Sequence, residues 1–385
     1  MKIYRLIVPS LAGLLFALST LVAFARTTPQ PASPPPAKTS ETNLLPGGFA
    51  EQIHADASGK LWITEVASDT IREFDPATNV FTLYTGLTST WEAQVGPDGY
   101  LWWIDQSALG RMNLSTRLVT MYPLSDTFAN ALAFDSLNRV WVADFISIGL
   151  YRLNPSTNQL CDVDLPNNGA SQTLVAHAGA LWLGDVPNQR LGTINPATND
   201  FTYWSLTALV SPTFAEPRSF TFAPNGDVWW ADRGAGKLGR LEVGANRVRY
   251  YGPSSASTPR QVAYQGGRVW FTDPITNSFG FVDPSVAVGE PSVVVTPVTA
   301  TLAPACATLT PGGSFTAGIS TGVAAFSALA TSTNADPEGT LYHVAGGEPW
   351  GMAATSFDVW TTDTARDKLI RVDNALRLYL PSIRR

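Results

Sequence analysis

At 385 residues the chain exceeds what a single hydrophobic core of about 250–300 residues supports, so it holds two domains or one repeated architecture. Hydrophobic residues make up 45% and charged ones 15%, a globular rather than a disordered balance, and a net charge of −6 leaves no basic face for nucleic acid. Two cysteines and three separated histidines (His54, His177, His343) exclude a disulfide-dense mini-fold, a CxxC zinc site and a multi-histidine metal centre.

Residues 1–25 read as a secretory signal peptide. Lys2 and Arg5 precede an apolar run from Leu6 to Phe24, and Ala23-Phe24-Ala25 supplies the small residues of a cleavage site. No other stretch is long and apolar enough to cross a bilayer. The expected location is therefore secreted, periplasmic or cell-surface. Residues 26–46 carry Pro29, Pro31, Pro34, Pro35 and Pro36 and read as a semi-rigid extended linker.

From residue 47 to 385 the chain repeats. Gly or Asn, any residue, Leu or Val, Trp, two residues and an acid recur as GKLWITE (59–65), GYLWWID (99–105), NRVWVAD (138–144), GALWLGD (179–185), GDVWWAD (226–232) and GRVWFTD (267–273), with FDVWTTD (357–363) as a last, Gly-less copy. The tryptophans are Trp62, Trp102, Trp141, Trp182, Trp229, Trp270 and Trp360, about 40 residues apart except for an insertion before the last. That period is the spacing of propeller blades. Blade 3 shows the four strands: Asn130–Phe134, Val140–Ala143, Gly149–Asn154 and Gln159–Asp162. The third and fourth are joined by type I turn chemistry of the kind DPATN (75–79), NPSTN (154–158) and NPATN (195–199). No segment carries a sustained helical period. The expected fold is all-β, a seven-bladed β-propeller of four-stranded blades.

A side chain copied seven times is read as structural. Each Trp fills the space between sheets, and each acid (Glu65, Asp105, Asp144, Asp185, Asp232, Asp273, Asp363) ends a second strand and bonds turn N–H groups. The insertion, about 285–348, carries almost no charge and reads as a flexible or weakly structured excursion. Ser292–Val298 is preferred over Thr340–Val344 as the fourth strand of blade 6. Cys161 and Cys306 fall in blades that face each other across the ring, which argues against a bond between them. Ring closure needs one more strand, from Leu376–Leu380 or from Thr42–Leu45.

The runs GPDGYLWWID (96–105), LGR (109–111) and AEPRSFTFAPNGDVWWAD (215–232) resemble streptogramin B lyases, over about residues 46–376 without the insertion. The resemblance implies a seven-bladed propeller, a skeleton that gluconolactonase-like and NHL-repeat propellers share. It also implies a Mg²⁺-assisted ring-opening elimination whose His base sits in a Glu-Pro-His-Gly motif. The matching residues here are Glu216-Pro217-Arg218-Ser219 and Glu348-Pro349-Trp350-Gly351, with Thr258-Pro259-Arg260 in blade 6, so the acid is kept and the His is not. Neither Arg nor Trp serves as a base.

The seven equivalent first-strand positions are Glu51, Trp91, Asn130, Gln172, Arg218, Arg260 and Trp350. They differ from blade to blade, and by the resemblance they surround the channel mouth. Two Arg, two Trp, one Glu and two amides suit a polar or anionic ligand, gripped by guanidinium groups and stacked on indoles. Three readings follow: a binding propeller, expected to be monomeric; a lyase or lactone hydrolase with Glu216 or Glu348 as base and Mg²⁺ as the metal the resemblance implies; and a surface scaffold. The three histidines are read as incidental.

Overall fold

The structure, a computed structural model, describes residues 38–373 apart from 45, 106, 125–127, 145–148, 208, 210–213, 253–256, 330, 337–338 and 357. The signal-peptide reading, the first part of the linker and the strand Leu376–Leu380 lie outside the described residues. No helix among the described residues is long and apolar enough to cross a membrane.

Seven antiparallel sheets follow one another as blades. Blade 3 runs Ala129–Phe134, Val140–Asp144, Leu150–Asn154 and Gln159–Val163, within one residue of the expected strands. The turns explain the regularity. In DPATN and its relatives the Asp or Asn side chain accepts the N–H two residues on, as Asp75 does from Ala77 at 2.8 Å and Asn195 from Ala197 at 3.0 Å. The final Asn enters the left-handed region (φ 58° at Asn79, 59° at Asn199), which Asn tolerates better than most residues.

The core is divided among the spaces between blades. Seven hydrophobic clusters are present, and each contains one repeat tryptophan: Trp62, Trp102, Trp141, Trp182, Trp229, Trp270 and Trp360. The Leu-Gly-Arg runs have their own packing reason. A Cβ on Gly110 or Gly239 would lie 2.1 Å from the ring of Trp103 or Trp230, so only glycine leaves room for the second indole of each Trp-Trp pair. Trp182, stacked on Trp204 at 5.7 Å, holds blade 4 to blade 5. Trp182→Ala should cost about 3–5 kcal/mol and lower Tm by about 5 °C in calorimetry, and an unchanged Tm would show the repeat Trp to be dispensable.

The insertion corrects three expectations. It is neither weakly structured nor local. It leaves blade 6 after Ser278–Val282 and travels the outside of the ring against the chain order, adding a fifth, outermost strand to every blade. Val293–Val294 pairs with blade 5, Val298–Thr301 with blade 4, Ala305–Thr308 with blade 3, Ser314–Thr316 with blade 2, Gly318–Val323 with blade 1 and Ser327–Ala328 with blade 7. Ser332–Asp336 returns to blade 6. The fourth strand of blade 6 is Gly339–His343, close to the less favoured alternative, and Ser292–Val298 belongs to the belt. Because the belt passes every blade, Cys306 arrives directly opposite Cys161 in blade 3, and the two form a disulfide. The expectation against that bond assumed that Cys306 stays near blade 6.

The belt is cut to the ring. Val295, Leu302, Leu309, Ala317 and Ala324 recur every seven or eight residues. Each donates its N–H to the carbonyl of the left-handed turn residue before a blade's fourth strand, respectively Asn246, Asn199, Asn158, Arg117 and Asn79, at 2.7–3.1 Å. Seven extended residues reach at most about 25 Å, one blade-width step at the rim. The apolar residue of each step plugs the cluster beneath it: Val295, Leu302, Leu309 and Ala317 sit in four successive interblade clusters. Pro297, Pro304 and Pro311 follow two residues later and interrupt the outer edge, which limits edge-to-edge pairing with other chains.

Closure comes from the N-terminal side. Thr39–Asn43 is the fourth strand of blade 7, paired with Lys368–Asp373. The folded blades accordingly include Thr39–Asn43, inside the stretch read as linker, because the prolines end at Pro36 and the β-branched Thr39 and Thr42 follow.

Candidate functional site

The seven positions that vary between blades share one backbone feature. Each first strand carries a β-bulge where it meets the end of the second strand. Register shifts mark it in Ala50–Ala55, Ala129–Phe134, Ser171–His177, Pro217–Phe222 and Pro349–Ala354. In blade 2 Trp91 donates its N–H to the Ile104 carbonyl while Ile104 N–H bonds Glu92, and in blade 6 Arg260, Gln261 and Thr272 repeat the pattern. A bulge re-aims the side chain it carries, and all seven positions sit at one.

The repeated acids hold these bulges in place. The second-strand carboxylates of Asp144, Asp185, Asp232, Asp273 and Asp363 accept N–H bonds from Phe128, Ala170, Glu216, Thr258 and Glu348, each two residues before a varying position, at 2.8–3.3 Å. Burial raises the Asp232 carboxyl, against four hydrogen bonds that favour its charge. The preceding threonines link neighbours. Thr64 Oγ1 accepts from Gln52 and donates to the Trp91 carbonyl at 3.1 Å, and Thr272 Oγ1 accepts from Gln261 and donates to the Trp350 carbonyl at 2.9 Å.

Three of the varying residues, Asn130, Gln172 and Arg218, line a channel cavity of about 770 Å³. Glu51, Arg260 and Trp350 form a closed cluster beside it. Arg260 Nη2 lies 3.0 Å from Glu51 Oε1, and its guanidinium rests 3.7 Å from the centre of the Trp350 ring. Burial pushes the Arg260 guanidinium down to about 10, which still leaves it charged at neutral pH. Burial likewise raises the Glu51 carboxyl, opposed by Arg260 and the Trp350 indole. Trp91 stands against Phe128, with ring centres 6.3 Å apart. Arg218 is ion-paired with Glu216, two residues earlier and just before the strand Pro217–Phe222 begins. Below them Gln261 bonds Gln52 across blade 7, and the Gln261 Oε1 accepts the Met352 N–H at 2.7 Å.

Sequence reasoning passed over two histidines that the channel collects. His54 and His177 both line the cavity. His54 Nε2 lies 3.3 Å from Glu92 Oε1, and Glu92 is buried and accepts a 2.6 Å bond from Gln94. The signal was present: Glu92 directly follows the varying Trp91, and His54 lies on the channel strand of blade 1. His177 stacks on Phe222 at 3.8 Å. His343 is in the fourth strand of blade 6, its Nδ1 3.1 Å from the Thr276 carbonyl.

The residues do not fit the Mg²⁺ that the resemblance implies. Among the described residues no three His, Cys, Asp or Glu side chains converge, and Glu216 and Glu51 each face an arginine. Glu348 donates its backbone N–H to Asp363 and accepts from Thr364 at its carbonyl, and its carboxylate acts on Arg260.

No protein-family model and no curated protein matches the chain. Among solved structures it is similar to virginiamycin B lyase from Staphylococcus aureus, including a catalytically inactive variant with quinupristin, at 16% identity and TM-score 0.65, covering 87% of this chain and 99% of that one. It is similar to a streptogramin B lyase structure at 17% identity and TM-score 0.63, over 87% and 97%. It also resembles the extracellular domain of a hybrid two-component system of B. thetaiotaomicron at 14% identity and TM-score 0.56, over 88% of this chain and 42% of that one. At these identities the likeness establishes the fold, and the chain is a streptogramin-lyase-like seven-bladed β-propeller.

Proposed function

We propose that the chain is an exported binding propeller that takes a polar ligand at the channel mouth, without the His-based chemistry of the streptogramin lyases. One observation carries this reading. The positions that differ between blades occupy the bulges at one end of the channel, and three of them open on its cavity. A disulfide between Cys161 and Cys306 supports an oxidising compartment, in keeping with the N-terminal segment. The test is a thermal-shift screen of the purified protein against small polar metabolites. A ligand present at a hundredfold excess over Kd should add about 2.7 kcal/mol, a rise of about 4 °C, and changing Asn130 and Gln172 together to alanine should all but abolish the rise. A ligand whose shift survives that change binds elsewhere.

A second reading, an acid–base enzyme acting on an ester or lactone, draws on His54 and Glu92. A buried carboxylate beside a cavity-lining imidazole is an arrangement that orients a general base. Incubation with a quinupristin-type cyclic depsipeptide decides it, linear product lost in His54→Ala being the positive result.

A further inference from the structure

We infer that the channel ligand is an uncharged polyhydroxylated molecule, an oligosaccharide of two or three units, and not an anion. This rests on the channel-mouth reading and narrows its ligand.

The charges around the cavity are already matched. Arg218 faces Glu216, the Glu92 carboxylate accepts from Gln94 at 2.6 Å, and Asp135 is held by Arg139 at 2.7 Å. Arg260 packs between Glu51 and Trp350, and Arg233, near enough to act on both Arg218 and Arg260, is exposed; neither lines the cavity. An anion would have to displace a carboxylate from a half-buried guanidinium, since Arg218 is the only arginine or lysine among the residues that line the cavity.

What remains free is amide and hydroxyl. Gln172 makes no side-chain hydrogen bond among the described residues, and the buried Oδ1 of Asn130 has no partner. The Gln52 Oε1 is taken by Gln261, which leaves its amide hydrogens to donate. Ser219 and Thr221 accept backbone N–H bonds from Val262 and Tyr264 at 3.3 and 2.8 Å, so their own protons remain available. Such groups both donate and accept, as a row of sugar hydroxyls does. Tyr264, on the same wall, offers a flat apolar face to the C–H side of a pyranose ring. A volume of about 770 Å³ lies within the range of small-molecule sites.

The experiment is calorimetric titration of the whole exported chain with two sets of probes. Maltotriose, cellotriose, mannotriose and chitotriose are neutral; trigalacturonate, citrate and inorganic phosphate are anionic. The expected result is binding of at least one neutral trisaccharide. Its Kd should change less than twofold between 50 and 500 mM NaCl and rise at least tenfold in Gln172→Ala and in Asn130→Ala, each variant first shown to melt like the parent. Binding of an anionic probe alone, weakened by salt and by Arg218→Ala, would overturn the inference and leave the channel-mouth reading standing. Binding by none of the probes overturns the inference, and a blank result in the metabolite screen as well overturns the channel-mouth reading.

Discussion

A chain lacking residues 38–44 is expected to lose the closed ring and, with it, most of its stability. Thr39–Asn43 forms five residue pairs with Lys368–Val372, and Lys38 and Leu44 extend the ladder through bonds of 2.9 and 2.8 Å to Asp373 and Asp367. Leu44 is buried in the cluster that joins blade 7 to blade 1, and Glu41 pairs with Arg366 at 3.0 Å. The belt segment Ser327–Ala328 pairs with the same strand and would lose its partner. At about 1 kcal/mol per hydrogen bond and about 2 kcal/mol for the leucine, the loss comes to roughly 5–8 kcal/mol. That is comparable with the whole stability of an ordinary domain, about 5–15 kcal/mol. The shortened chain should elute as aggregate in size-exclusion chromatography, and a synthetic peptide of residues 37–48 added during refolding should restore monomer. A shortened chain that stays monomeric and melts within about 2 °C of the parent would show that closure does not depend on this strand.

The ring is legible in the sequence because its dominant energy term repeats. Each interblade space needs one large apolar side chain, so seven tryptophans mark seven spaces, and each of those residues is found in its own cluster. The seven varying residues could be located because each precedes its blade's repeat tryptophan by ten or eleven residues. What they would touch could not be read off in the same way. The pairing of Arg260 with Glu51 joins blade 6 to blade 1 across blade 7, and that of Arg218 with Glu216 depends on how the bulge between Pro217 and Ser219 turns Arg218 toward the residue before the strand. The belt escaped for a related reason. Its residues satisfy no local pattern of four-stranded blades, and its strands pair with partners as far as 288 positions away in sequence, Ala328 with Ser40. Its signal lies in a second, shorter period: Val295-Thr296-Pro297, Leu302-Ala303-Pro304 and Leu309-Thr310-Pro311 recur every seven residues, a step set by the rim of the ring.

The disulfide should be what keeps that belt seated. The seven outer strands are two to six residues long, and most side chains of the first six are exposed. Beside this short backbone pairing, each step is held chiefly by one small apolar plug, such as Val295, Leu302 or Ala317. Cys161 and Cys306, 145 residues apart, anchor the belt at blade 3, part-way round. Closing a loop of that length restricts the unfolded chain by about 4–5 kcal/mol in the loop-entropy account. Changing both cysteines to serine should therefore lower Tm by about 5 °C. It should also free the belt before the blades unfold, since the blades keep their own interblade tryptophans. Residues 285–336 contain no Lys or Arg, so trypsin would miss the change. Thermolysin, which cuts at apolar residues, should cleave the variant first between about 290 and 330, and fragment masses would locate the cuts. Once released, the belt uncovers a row of fourth-strand edges, and the variant should associate with rising concentration where the parent does not. Treating the parent with a dithiol reductant should reproduce the cleavage pattern. A double-serine variant that melts with the parent and is cut no earlier in the belt than in the blades would place the strength of the belt in its backbone pairing alone.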